Sequence, residues 1–437
     1  MVTISNIKKK LLKSTLFKDS FWALLGNILG KGLALLASVV IARILGKELF
    51  GMYGLIRTTL LTIAIFSTFG LGYTATKFIA EYNKVLSNKV KCVVSNVMQI
   101  TFFSGGIFAV ILFIFSKQIA VFIEAEHLYK AIRYLAIVVL LNSVSTTQIA
   151  ILAGFKKFKS IAKLNLINGI ITFISGVIFT YFFNFNGALI ALVISQVINC
   201  FLFYLEVNKH IDKSNSVPSD TKIKKELLLF SLPVAMQELF YSILQIAMPI
   251  FLVKYSNYSE MGLYNAAAQW SSVILFIPGT LRNVILSHFS SNTNDLIRQK
   301  SLLNKMLYIN FISTFIPFCF IYSFSGLIIK LYGNNFNELK SILNISVFST
   351  IFTCMSGVYI QYSLSLNKVW LTFWIKVVSV ILTIITFILV MKYYNDSRAA
   401  LHLVQINAIS AAIFLIVFYV YFNCIFQKRH YENKKVR

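Results

Sequence analysis

FWALLGNILGKGLALLASVVIARILGKELFGMYGL, residues 21–55, opens with about two dozen nearly uncharged apolar residues, more than the roughly 20 a helix needs to cross a hydrocarbon core. A single lysine, Lys31, interrupts the run. Gly26, Gly30, Ala34, Ser38 and Ala42 recur at every fourth position, so they form one narrow ridge on which another helix backbone can lie close in lipid. Arg43 and the polar turn Gly46-Lys47-Glu48 end the span, and Phe50-Gly51-Met52-Tyr53 turns the chain back into the membrane. The stretch reads as a tight membrane hairpin.

The rest of the chain has the composition this beginning requires. Of 437 residues 57% are hydrophobic, 40 are Phe, and mean hydropathy is +0.75, whereas soluble domains average about 45–50% apolar. The fold class is therefore an all-α integral membrane protein. A net charge of +26 would point to nucleic acid if its bases were clustered on a soluble face. Here Lys and Arg fill the short gaps between apolar runs, where the positive-inside rule and anionic headgroups account for them, and no nucleic-acid partner is expected. Cys92, Cys200, Cys319, Cys354 and Cys424 are scattered inside apolar runs, and His127, His210, His288, His402 and His430 stand apart near span ends, so neither a disulfide framework nor a metal site is expected. Residues 1–19 mix five lysines with Asp19 ahead of an apolar run too long for a signal peptide. They read as a cytoplasmic amphipathic lead-in resting on the membrane through Ile4, Ile7, Leu11 and Leu12.

Apolar runs predict twelve spans near 20–45, 50–71, 92–115, 131–153, 161–183, 187–207, 227–253, 261–287, 302–329, 340–365, 370–391 and 399–425. With a cytoplasmic N-terminus, roughly 29 cations fall on the inner side against about 10 outside, so both termini should be cytoplasmic. The polar stretch 208–225, NKHIDKSNSVPSDTKIKK, has the composition of a linker. It separates an N-terminal lobe, 20–207, from a C-terminal lobe, 226–425, with a basic cytoplasmic tail at 426–437. The lobes repeat at an offset near 211: Gly51-Met52-Tyr53 returns as Gly262-Leu263-Tyr264, the turn 154–158 as 366–370, and Ala188 as Ala400. Six spans per copy is an even number, so both copies share one orientation about an axis along the membrane normal, and two six-helix lobes around a central cleft follow.

The wording R-x-L-G-x-x-x-F-G-x-Y at Arg43 to Tyr53, the GFKKF turn at 154–158 and the repeat resemble the polysaccharide-unit (Wzx-type) flippases of the multidrug, oligosaccharidyl-lipid and polysaccharide exporter superfamily. The resemblance implies movement of an undecaprenyl-diphosphate-linked oligosaccharide from inner to outer leaflet of a bacterial cytoplasmic membrane, with no cofactor. Polymerase and glycosyltransferases of the same route are its expected partners, beside membrane lipids. Two alternatives stay open: an exporter of drugs, organic cations or another lipid-linked precursor with this fold, and a polysaccharide polymerase or ligase. Short loops on both faces disfavour the latter, and no phosphate loop, H-E-x-x-H or G-x-S-x-G is present, so no enzyme is expected.

Charges at membrane depth are costly unless they face water or a partner, which marks Lys31, Arg57, Glu238 and Arg282. Lys31 and Glu238 lie roughly 16 Å into spans one and seven, and Arg57 about two turns into span two. Arg282 is near the inner end of span eight. The three cations are candidates for holding a diphosphate, with headgroup snorkelling and structural pairing as the plainer alternatives. Glu238 is a candidate for ion coupling or for a pair with Lys31. Asn27, Gln237, Tyr241, Gln245, Tyr264, Asn265 and Gln269 could meet sugar hydroxyls and rings, although Tyr and Gln also tie helices together. Pro233 and Pro249 make span seven the expected bending element, and Gly26, Gly30 and Gly32 loosen span one.

Overall fold

The computed structural model describes residues 15–82, 87–211, 221–276, 278–279, 296–366, 369–394 and 398–435. Twelve helices longer than one turn follow in order: α1 Thr15–Ser67, α2 Leu71–Tyr82, α3 Ser87–Ile114, α4 Ser116–Phe122, α5 Tyr129–Gly154 and α6 Phe158–Asn208. After these come α7 Thr221–Tyr255, α8 Tyr258–Ile274, α9 Leu296–Tyr332, α10 Leu339–Ser365, α11 Val369–Tyr394 and α12 Ala399–Lys435. No strand occurs among the described residues. Among the described residues eight segments are long and apolar enough to span a bilayer. Two of them, 28–67 in α1 and 158–208 in α6, are long enough for two passes each. With the shorter apolar helix Ile246–Tyr255 beside them, these segments make the protein a multi-pass membrane protein.

The joints explain the double passes. α1 breaks at Gly46, whose φ of 71° suits a residue without a Cβ, and α6 breaks at Asn184, at φ 53°. Asparagine tolerates that left-handed conformation better than most residues. Gly187 then lies so close to the carbonyl of Phe179 that a Cβ would sit 1.8 Å from it. One residue thus does the work for which the sequence reading reserved a gap of several.

Other boundaries also move. α1 already runs helically from Thr15, inside the expected lead-in, while 1–14, with Ile4, Ile7, Leu11 and Leu12, lie outside the described residues. Span two ends at Ser67, and Leu71–Tyr82, expected as loop, is an amphipathic helix burying Leu71, Thr74, Ala75, Phe78 and Ile79. Its lysine, Lys77, misled the reading, because one charge on the open face does not prevent a helix from burying the other. The basic tail continues α12 to Lys435, giving 37 residues, or about 55 Å, more than a bilayer core needs. α7 is continuous over Thr221–Tyr255 with Pro233 and Pro249 inside it.

The chain packs as two compact units, Met1–Leu45 with Met52–Ile250, and Gly46–Gly51 with Phe251–Arg437. The packing boundary therefore falls one helix later than the 208–225 linker, of which 212–220 lie outside the described residues. In the first unit the ridge of α1 is used as its spacing suggests. A Cβ on Gly26 would meet the Ala162 backbone at 2.6 Å, one on Gly30 the Asn165 carbonyl at 2.5 Å, and one on Gly169 the Gly30 carbonyl at 2.7 Å. α1 and α6 therefore touch backbone to backbone. Hydroxyls lace the other helices: Thr101 to Thr147 at 3.1 Å, Ser104 to the Ser67 carbonyl at 2.7 Å, Thr76 to the Ala150 carbonyl at 2.9 Å, and Ser67 to Ser143. One apolar cluster gathers α2, α3, α5, α6 and the start of α7 through Phe78, Val93, Leu152, Phe203 and Leu227.

The second unit has its own core, with Tyr359 and Tyr362 of α10 against Phe418 and Phe422 of α12. Glu260, 5% exposed, accepts the backbone N–H of Ala400 at 2.7 Å and so ties α8 to the first turn of α12, where the helix dipole favours a carboxylate. Asn257 caps α8 by accepting from the Glu260 N–H at 3.0 Å. Gly51 and Gly262, equivalent in the repeat, approach each other reciprocally. A Cβ on Gly51 would fall 1.8 Å from the Tyr258 carbonyl, and one on Gly262 would fall 2.0 Å from the Lys47 carbonyl.

Candidate functional site

The second arm of α1 runs from Gly46 to Ser67, and its buried positions, Tyr53, Leu55, Ile56, Leu60 and Ala64, lie on one side. Arg57, Thr58, Leu61 and Ile65, spaced by one, four and eight residues, make the open side. Arg57 is half-buried and makes no hydrogen bond or ion pair among the described residues. It is eleven residues past Gly46, about 16 Å along the helix, close to the middle of the arm. That is deeper than the two turns expected, because the arm starts at Lys47 and ends at Ser67. A guanidinium always carries its charge, so at such depth it needs water or an anion.

Lys31 lies on the first arm, fifteen residues or about 22 Å before Gly46, with its side chain exposed. Gly30, its neighbour, faces α6, so Lys31 stands just off the α1–α6 contact. The first unit also carries buried polar atoms without a hydrogen-bond partner among the described residues, Ser38 Oγ, Thr59 Oγ1 and Asn168 Oδ1. The sequence reading missed all three. The signal that would have found them is a polar side chain at membrane depth whose helix neighbours offer no acceptor or donor.

In the second unit α8 is divided in the same way. Met261, Gly262, Leu263, Ala266, Ala267 and Ile274 are buried, Trp270 Nε1 donates to Tyr332 Oη at 3.1 Å, and Ser271 shares a hydrogen bond with Ser346 at 2.8 Å. That side belongs to α9 and α10. Tyr264, Asn265, Ala268, Gln269 and Ser272 form the other side, where Asn265 Nδ2 and Gln269 Nε2 have no hydrogen-bond partner among the described residues. Two amides one turn apart with spare donors suit a ligand rich in acceptors. The remaining candidates are not placed: Arg282 lies outside the described residues, as do the side chains of Asn27, Gln237, Glu238, Tyr241 and Gln245.

A family model described as "Polysaccharide biosynthesis protein" matches residues 16–281, more than half of the chain. The chain belongs to this family. No curated protein sequence matches it. Among solved structures it is similar to an inward-facing multidrug resistance MATE family transporter of the MOP superfamily, at 13% identity and TM-score 0.77, covering 91% of this chain and 95% of that one. It is also similar to a MOP superfamily transporter from Pyrococcus furiosus, at 13% identity and TM-score 0.67, covering 96% and 97%. The lipid II flippase MurJ in an inward closed conformation matches at 14% identity and TM-score 0.70, covering 91% and 86%. At these identities the likeness is one of fold: the family member has the MOP transporter fold, and the fold alone does not choose between a drug and a lipid-linked glycan.

Proposed function

We propose that this protein is a flippase that carries an undecaprenyl-diphosphate-linked oligosaccharide across the bacterial cytoplasmic membrane, for a surface polysaccharide such as O-antigen, capsule or exopolysaccharide. It works by alternating access, with both termini in the cytoplasm, and receives its substrate from glycosyltransferases and passes it to a polymerase. The observation that carries the reading is Arg57, a half-buried cation without an ion-pair partner among the described residues, midway along its helix arm, in a family of polysaccharide biosynthesis. A diphosphate needs fixed cationic donors in a medium poor in water, and a guanidinium holds phosphate oxygens in a bidentate fork. Lys31 and Arg282 are the further cations of the proposed anion path, and the amides Asn265 and Gln269 with the Tyr264 ring serve the glycan. No step breaks or makes a covalent bond, so the protein is a carrier and not an enzyme.

An exporter of organic cations is the second reading, favoured by the likeness to the MATE transporter. A positive Arg57 repels such a substrate, which separates the two. In proteoliposomes loaded on one leaflet with a polyprenyl-diphosphate-linked glycan, Arg57→Gln is expected to abolish flipping with the protein incorporated normally. If Arg57→Gln flips the glycan at the full rate, or if the unaltered protein exports an organic cation and Arg57→Gln exports it faster, the flippase reading fails.

A further inference from the structure

A groove of about 380 Å³ opens in the first unit among Phe69, Lys224, Lys225, Leu228, Leu229 and Leu232. Phe69 belongs to the joint between α1 and α2 and holds a φ of 52°, which turns it out of the line of both helices. The other five residues open α7. Lys225, Leu228, Leu229 and Leu232 are spaced by three, four and seven residues and so share one helix face, cationic at its start and apolar for about 10 Å beyond. Leu229 is 64% and Leu232 44% exposed, although Ile223 and Leu227 on the opposite face are buried in the core.

The wall is held in place from behind. Phe78 of α2 meets the ring of Phe230 edge-on with centroids 5.8 Å apart, and Lys77 Nζ lies 4.0 Å from that ring's centroid. Lys77 is thereby engaged on the α2 side, whereas Lys224 and Lys225 stand exposed at the groove. The nearest acid on α7, Glu226, acts on Tyr82: burial, then Glu226 and Glu81, raise that phenol above its usual range.

We propose that this groove binds an anionic phospholipid, its phosphate on Lys224 and Lys225 and a fatty acyl chain along Leu228, Leu229 and Leu232 against Phe69. Charge and shape both select this occupant. A zwitterionic lipid brings its own ammonium toward the lysine pair, and a free anion leaves the apolar floor wet. The proposal does not depend on the flippase reading, since phospholipid surrounds any membrane-spanning protein.

The experiment uses the full-length protein in micelles doped with equal amounts of phosphatidylglycerol and phosphatidylcholine, with retained lipid counted by native mass spectrometry. The unaltered protein is expected to hold phosphatidylglycerol in preference. K224Q/K225Q is expected to weaken that binding about thirtyfold, from about fivefold per lysine near an anionic lipid. Both lysines are exposed, so the double variant keeps its fold. Leu228→Trp fills the groove and is expected to lower retention of either lipid, while K156Q/K157Q, an exposed pair at the turn before α6, leaves the preference intact. Equal retention by K224Q/K225Q overturns the proposal, as does an equal loss in K156Q/K157Q, which reduces the effect to surface charge. Displacement of phosphatidylglycerol by an equimolar polyprenyl diphosphate also overturns it, assigning the groove to the substrate.

Discussion

Gly51→Ala adds one methyl group where the structure has no room for it. Its Cβ would lie 1.8 Å from the Tyr258 carbonyl oxygen and 2.8 Å from the Gly262 nitrogen, and the reciprocal Gly262→Ala would place one 2.0 Å from the Lys47 carbonyl. Backbone atoms block both positions, so no rotamer change relieves the overlap. To restore ordinary contact at about 3.5 Å, the α8 backbone must back away by about 1.5 Å or more, which forfeits much of the dispersion energy along the contact. Overpacking of this kind costs about 1–3 kcal/mol and sometimes more, against a gain of about 1 kcal/mol from alanine's better helix propensity. A net loss of about 1 kcal/mol is expected for either variant. In a unit of about 190 residues this lowers Tm by roughly 2–4 °C.

Gly32→Ala is the control with the opposite sign, because nothing lies within 4 Å of a Cβ there. It keeps the propensity gain and is expected to raise Tm by about 2–4 °C. The double variant G51A/G262A should lose less than the two single losses added, since one separation of the helices accommodates both methyl groups. Thermal unfolding of the purified protein in detergent reads all four. If Gly51→Ala melts with Gly32→Ala, at or above the unaltered protein, the reciprocal contact is not where the argument puts it.

Glu260→Ala should cost about 1–3 kcal/mol by leaving the Ala400 N–H without its acceptor, and Glu260→Gln, which keeps an acceptor oxygen, less than half of that; Tm comparison of the two separates the hydrogen bond from the charge. Tyr332→Phe strips the acceptor from Trp270 Nε1 and should cost about 1–3 kcal/mol, read together with a shift in tryptophan emission. In the flipping assay Lys31→Met and Glu238→Gln should be strongly non-additive if the two groups pair on the transport route, and additive losses reject that pair. Arg57→Lys should retain only part of the flipping rate, because an ammonium replaces the charge but not the two-pronged hydrogen bonding.

What was legible in the sequence were the features fixed by periodicity. The ridge of Gly26 and Gly30 meets Ala162 and Asn165 because a four-residue spacing of small side chains leaves backbone as the nearest surface. The apolar spans were legible from length and apolarity. The α2 helix was not legible, since twelve residues with a lysine at position 77 resemble a loop until Phe78 and Ile79 have a core to enter. The joints at Gly46 and Asn184 fall in the gaps 46–49 and 184–186 that the apolar runs leave, but that a single left-handed residue completes each turn was not legible. For the site, the cations could be named from their cost in lipid, but which of them lacked a partner depended on neighbours supplied by other helices.

The repeat says why the two halves carry different chemistry on similar surfaces. At the offset of 211, Arg57, Thr58 and Leu61 of α1 correspond to Ala268, Gln269 and Ser272 of α8, and each set forms the open side of its helix. The buried sides correspond as well: Leu55 and Ile56 match Ala266 and Ala267, all buried, and Gly51 matches Gly262. A duplicated helix pair therefore keeps its packing face in register while its open face diverges, cationic in one copy and amide-bearing in the other. A symmetric substrate would give such divergence no advantage. On the proposed reading the substrate is anionic at the diphosphate and neutral, hydroxyl-rich, along the sugars, chemistry that would favour a cation on one copy and amides on the other. Exchanging the chemistries tests the idea: R57A/A268R moves the cation to the equivalent position of the other copy at constant net charge. If only the presence of a deep cation mattered, the swapped protein would flip at the normal rate; if the division of labour matters, it should fail as completely as Arg57→Gln while folding as well as the unaltered chain.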